Sequence, residues 1–144
     1  MTDFSASFKK GLDAAQIAQK NHAEIRSVFD ALNNQLARES NGRIAVEIRK
    51  VKGSGTSIKE IFRTLNAHDA IVAYNPNDPQ STVEELAEWS EDRIGYPCRI
   101  KFGLKQTSFE DKEALEAGLA DLLEDPIVGE TLYHLMQIDN RVAQ

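Results

Sequence analysis

Phe8, Leu12, Ile17, Ile25, Val28, Phe29, Leu32 and Leu36 recur at helical spacing through residues 5–39. A stripe of that kind has to be buried against another element, so it predicts one long N-terminal helix with other layers packed on it. Lys9, Lys10, Asp13, Gln16, Lys20, Glu24 and Arg26 fall between the apolar positions and form a solvated face. Ser5 or Ser7 is the expected cap. Gly11 weakens the first turns by about 1 kcal/mol relative to alanine. The stripe thins over Gln19–His22, where a bend or break has room to form. Asn41-Gly42 closes the helix, because both residues tolerate the left-handed conformation that ends a last turn.

From Arg43 to Lys52 the period changes from helical to two. Ile44, Val46 and Ile48 point one way, and Ala45, Glu47 and Arg49 the other. Gly53-Ser54-Gly55 reads as a turn, and residues 57–65 as a second strand of a hairpin, although Ile61-Phe62 also suits a short helix. Residues 69–74 form a short, apolar, β-branched-rich strand of the kind found inside a sheet. Asn75-Pro76-Asn77-Asp78-Pro79 breaks any regular element. Ser81-Thr82-Val83-Glu84 then has the form of a capping box. With Val83, Leu86, Ala87 and Ser90 on one face, it predicts a helix over 82–92; the alternative is a strand carrying Leu86 and Trp89. Cys98 to Phe102 alternates again, and a short strand follows at 104–108. Residues 109–124 form an amphipathic helix with Leu115, Leu119 and Leu122 inward. Pro126 suits the first turn of a final helix reaching about Ile138.

The sum is one α+β domain: a long N-terminal helix, a mostly antiparallel or mixed sheet of four to five strands, and a C-terminal helical hairpin. At 144 residues, 41% of them hydrophobic, the chain can bury one core without disulfides or metal. If 82–92 is helical, strands 69–74 and 97–102 become a parallel pair with a right-handed crossover. The N-terminus has no secretory pattern and no stretch is long enough to span a bilayer. With a single cysteine, Cys98, this points to a reducing, cytoplasmic setting and no membrane.

Charge is distributed unevenly. Arg43, Arg49, Lys50, Lys52, Lys59 and Arg63 outweigh Glu47 and Glu60 over residues 43–63. Asp78, Glu84, Glu85, Glu88, Glu91 and Asp92 then meet no base until Arg93. Glu110, Asp111, Glu113, Glu116, Asp121, Glu124, Asp125 and Glu130 face Lys112 alone. The net charge of −6 argues against general nucleic-acid binding.

Solvated faces account for such runs without any function, since exposed ion pairs contribute only about 0–1 kcal/mol each. The functional reading is an acidic surface for a basic protein partner, where complementary fields raise association rate and specificity. On a helix, Glu84, Glu88 and Asp92 would share one stripe beside Glu85 and Glu91. Trp89 next to them is core-edge packing or a binding hot spot. This acidic α+β bearing without a catalytic signature is similar to that of small immunity proteins, which cover basic toxins or nucleases. The likeness rests on no defined motif and transfers no residue.

Chemistry has fewer footholds. His22, His68 and His134 lie far apart, and neither Cys-x-x-Cys nor His-Glu-x-x-His occurs, so no metal and no cofactor are implied. Cys98 shares a face with Ile100 and Phe102, which makes it a core residue. Lys52-Gly53-Ser54-Gly55-Thr56-Ser57 lacks the spacing of a phosphate loop. Glu47 and Lys50 point to opposite faces of a strand, which weakens a nuclease reading. The alternative to a binding protein is a small enzyme or nucleotide-handling protein with a site built from Lys50, Lys52, His68 and Asp69; it requires those groups to converge. Leu123, Tyr133 and Met136 widen the apolar faces of the last two helices, which is core or the seam of a homodimer.

Overall fold

The computed structural model describes residues 1–51 and 68–142, with side chains to residue 137. The order of elements is α1 (Phe4–Ser40), β1 (Ala45–Val51), β2 (His68–Tyr74), β3 (Glu84–Asp92), β4 (Gly95–Phe102), β5 (Lys105–Phe109), α2 (Lys112–Glu124) and α3 (Pro126–Val142). The class is α+β, with a long N-terminal helix, a five-stranded antiparallel sheet and two C-terminal helices. The strands lie in sequence order, each antiparallel to the next. The strand expected over 57–65, the glycine turn before it, and Lys52, Lys59 and Arg63 lie outside the described residues.

α1 starts one residue earlier than expected because Asp3, not Ser5 or Ser7, caps it. The Asp3 carboxylate accepts from the backbone N–H of Ser5 at 3.1 Å and of Ala6 at 3.2 Å. The helix runs without a break through Gln19–His22. It ends where the sequence says: Asn41 is left-handed at φ 56°, and Gly42 N–H donates to Ala37 O at 2.8 Å. Ser40 Oγ accepts from the backbone N–H of Arg43 and Ile44 and turns the chain into β1. Asn33 then brackets β1, its amide group bonding both the N–H and the C=O of Val46.

The core lies between one face of the sheet and the three helices. Ile25, Val28 and Phe29 of α1 meet Val46, Ile71, Ala73, Ala87, Trp89, Cys98 and Ile100 of the sheet. Leu115, Leu119 and Leu122 of α2 and Val128 and Leu135 of α3 close it. β2 is the interior strand its composition implies: Ala70 and Val72 on the opposite face are buried as well as Ile71 and Ala73. Asn75 after it is buried and tied down, its Nδ2 donating to Leu135 O at 3.1 Å and its N–H to Ser81 Oγ at 2.9 Å.

Two expectations fail here. Only the second half of the α1 stripe is buried; Phe8, Leu12 and Ile17 are 67%, 49% and 55% exposed. Periodicity marks an apolar face but not whether an element lies over it. The second failure is residues 82–92, which are not a helix. Glu84–Asp92 is a strand between β2 and β4, so no parallel crossover exists. A bulge opposite Ile71/Val72 explains the misleading pattern. It turns the consecutive residues Leu86 and Ala87 both toward the core, after which Trp89 resumes the alternation. Two inward residues in a row imitate helical spacing. Ser81 caps nothing; its hydroxyl holds the Asn75 turn.

Candidate partner-binding surface

The strand divides the acidic stretch between two faces of the sheet. Trp89 and Glu91 share the core face, paired across β4 with Ile100 and Cys98. Glu85 and Glu88 point to the other face, opposite Val72 and Ala70. Glu84 and Asp92 stand at the two ends of β3. The six residues therefore do not form one stripe.

On the outer face, Glu85 and Glu88 sit among bases. His68 Nε2 lies 2.6 Å from Glu85 Oε1 and 3.9 Å from Glu88 Oε1, and Lys101 Nζ lies 4.0 Å from Glu88 Oε2. Beyond β2, Arg49 pairs with Glu47 and stacks 4.9 Å over the ring of Tyr74. This face is a mixed ladder, with little excess of either sign near β3.

On the inner face, Glu91 belongs to a clamp that sequence reasoning missed. One carboxylate oxygen bonds His22 Nδ1; the other accepts from Trp89 Nε1 at 3.2 Å. His22 Nε2 meets Arg93 O at 2.9 Å, Asn21 Nδ2 donates to Ile94 O at 2.9 Å, and Tyr96 OH donates to Glu24 Oε1 at 2.7 Å. These bonds fasten the middle of α1 to the β3–β4 hairpin. Gly95, at φ 99° against Asn21, lets the two approach. The only sequence signal was the run of polar residues at 19–22, which reads equally as a weak spot.

The clamp has a pH dependence. The Arg93 carbonyl first, and then the Glu91 carboxylate, hold the His22 imidazolium and raise its pKa above 6.5; burial and Arg26 oppose them more weakly. Both ring nitrogens face acceptors, and a neutral ring keeps only one N–H. A pKa raised by folding gives stability that is full below about 6.5 and is lost as pH rises through the higher folded-state value. Urea unfolding across that range is expected to show stability declining as pH rises, and His22→Gln to flatten that slope.

Cys98 is fully buried, and burial pushes its thiol up to about 11, so it stays a protonated core residue at neutral pH. The described groups of the enzymatic alternative divide between the two faces of the sheet. Lys50 and Asp69 face each other across β1 and β2, whereas His68 is on the opposite face with Glu85, and Lys52 is outside the described residues. No cluster of three or more His, Cys, Asp or Glu among the described residues can hold a metal ion.

The acidic run at 110–130 keeps its character in three dimensions. Asp111 and Asp125 are used locally, capping α2 and the start of α3 through the N–H groups of Ala114 and Ile127 at 2.8 Å each. Glu113, Glu116, Asp121 and Glu124 are exposed on α2, away from Leu115, Leu119 and Leu122. Lys112, 3.9 Å from Glu116, is the one base on the helix. An apolar groove lies on each side of α2. One, of about 350 Å³, runs between α1 and α2 over Val28, Leu32, Leu119 and Leu123. The other, of about 500 Å³, lies against β4 and β5 over Ile100, Phe102, Phe109 and Leu122, with Asp121 and Asp125 on its rim.

No described helix is long and apolar enough to cross a membrane. Comparison with protein-family models, curated proteins and solved structures returned no match. Fold and surface thus define an α+β domain with an acidic helix between two apolar grooves.

Proposed function

We propose that this chain is a non-enzymatic protein-binding domain of the cytoplasm, whose acidic surface engages a basic protein partner. The most concrete form of that role is an immunity or inhibitor protein that neutralises a basic toxin or nuclease. The observation that carries the reading is α2: an acidic solvent face flanked by apolar grooves. That is the anatomy of an interface with an apolar floor and a charged rim. Lysine and arginine suit it, since their stems lie on apolar surface while their heads meet carboxylates. The reading moves the docking surface from β3 to α2. Glu91 is already committed to His22 and Trp89, and Glu85 and Glu88 have bases beside them.

The test compares two sets of charge reversals in co-purification from native lysate at low and high salt. Changing Glu113, Glu116, Asp121 and Glu124 to Lys is expected to weaken a salt-sensitive complex with a basic protein by about tenfold or more. Changing Glu85 and Glu88 to Lys is expected to change it far less. Circular dichroism should show both variants folded. A partner that is not basic, or retention indifferent to salt and to the α2 changes, would sink the proposal.

A further inference from the structure

The C-terminal end of α2 carries charge of the wrong sign for a helix standing alone. The free carbonyls of a last turn favour cations. The last turn of α2 has no base, and Asp121 and Glu124 stand in it with Asp125 as the cap. Asp125 has a local reason to be there: one of its oxygens accepts from Ile127 N–H at 2.8 Å and opens α3. The Asp121 carboxylate has no hydrogen bond or ion pair among the described residues. Lys112, the one base on the helix, lies at the far end, 3.9 Å from Glu116.

The groove against β4 and β5 opens beside this end of the helix. Small residues keep its helix wall low. Gly118 lies flat on Phe109, since an added Cβ would stand 2.3 Å from two atoms of that ring. Ala117, the residue before it, is exposed in the groove wall. What remains is a space of about 500 Å³ floored by Ile100, Phe102, Phe109 and Leu122. Asp121 and Asp125 stand over it one turn apart. Lys105, on the β5 side of the groove, makes no ion pair among the described residues. The groove between α1 and α2 has a different chemistry, because its one carboxylate, Glu116, already has Lys112 beside it.

We propose that the groove against β4 and β5 is the socket for an anchoring arginine of the partner; the inference rests on the protein-binding role proposed above. The arginine stem lies on the apolar floor. Its guanidinium meets Asp121 and the oxygen of Asp125 that Ile127 leaves free, at the negative end of α2. Arginine suits this socket better than lysine. Its planar fork bonds two carboxylates at once and stacks on a ring such as that of half-buried Phe102, whereas an ammonium is a compact, strongly hydrated point charge. Arginine in a desolvated pocket is also a common hot spot of protein interfaces.

The experiment titrates the full chain with a capped alanine–arginine–alanine peptide, followed by the NMR shifts of backbone amides. A peptide with citrulline in place of arginine is the neutral isostere. The arginine peptide is expected to shift Phe102, Gly118 and Leu122 saturably, with a dissociation constant of about 1–10 mM. The citrulline peptide should leave them in place. Ala117→Leu fills the groove and should abolish the shifts, whereas Ala120→Leu fills the groove beside α1 and should not change them. Both positions are exposed on α2, where leucine is nearly as good a helix former as alanine. Asp121→Asn should weaken binding several-fold. No saturable binding, shifts gathered at Leu32 and Leu123, an equal response to citrulline, or indifference to Ala117→Leu would each overturn the proposal. Co-purification separates it from the broader reading. A partner released by the α2 charge reversals yet retained by Ala117→Leu overturns the socket and leaves the protein-binding role standing.

Discussion

Trp89→Ala is expected to destabilise the domain by about 3–5 kcal/mol, the range for removing a buried tryptophan. Trp89 is 4% exposed. Its ring meets Phe29 edge-on, with centroids 5.4 Å apart and planes at 88°, so it joins α1 to the middle of the sheet. Its indole N–H also holds one oxygen of Glu91, the carboxylate that grips His22. Truncation leaves a cavity at the α1–sheet contact and strips a partner from the clamp. Thermal unfolding should show a fall of roughly 10–20 °C for a domain of this size. Trp89→Phe keeps most of the packing and loses the hydrogen bond, worth about 1 kcal/mol. If Trp89→Ala changed stability by less than Trp89→Phe is expected to, the residue would be a surface contact after all. The sequence left that choice open, because aromatic residues beside carboxylates occur both in cores and in hot spots.

Gly95→Ala is expected to cost about 3 kcal/mol or more, from two terms of about 1–3 kcal/mol each. The first is backbone conformation, since φ at Gly95 is 99°. The second is space: an added Cβ would stand 2.5 Å from Asn21 Cβ and 3.3 Å from the Asn21 carbonyl carbon. A helix backbone cannot swing away as a flexible side chain can. The hairpin must lift from α1, breaking the bonds of Asn21 to Ile94 and of His22 to Arg93. Gly103→Ala separates the two terms. Gly103 has φ 62° and nothing within 4 Å, so it should lose only about 1–2 kcal/mol, the conformational part. Equal losses in the two variants, read as midpoints of urea unfolding, would show that the α1–hairpin contact is looser than described.

Much of the architecture was legible where local chemistry decides it. Asn41-Gly42 ends α1 because few other residues accept a left-handed backbone. Ala70, Ile71, Val72 and Ala73 are apolar on both sides because both sides are buried. Pro126 opens α3 because a helix start does not need its missing N–H. What stayed hidden was set by distant partners. The bulge in β3 exists only against Ile71/Val72 and disguised a strand as a helix. The division of the acidic residues between two faces follows from that strand. The α1 stripe is apolar on both sides of Gln19–His22, yet only its second half is buried. His22 and Glu91 are far apart in sequence, and no local pattern joins them. The acidic character of α2 was legible throughout, because a helix face follows from spacing alone.

The bracket that Asn33 places on Val46 bears on how copies of the molecule can meet. A border strand normally offers its outward amides and carbonyls as a template, and stray chains can zip onto it. Along β1, Val46 has both groups already satisfied from within. At the opposite margin β5 is brief and carries Lys105. Ribbon-to-ribbon growth is therefore interrupted at Val46 on one rim of the described sheet and meets a short, charged strand at the other.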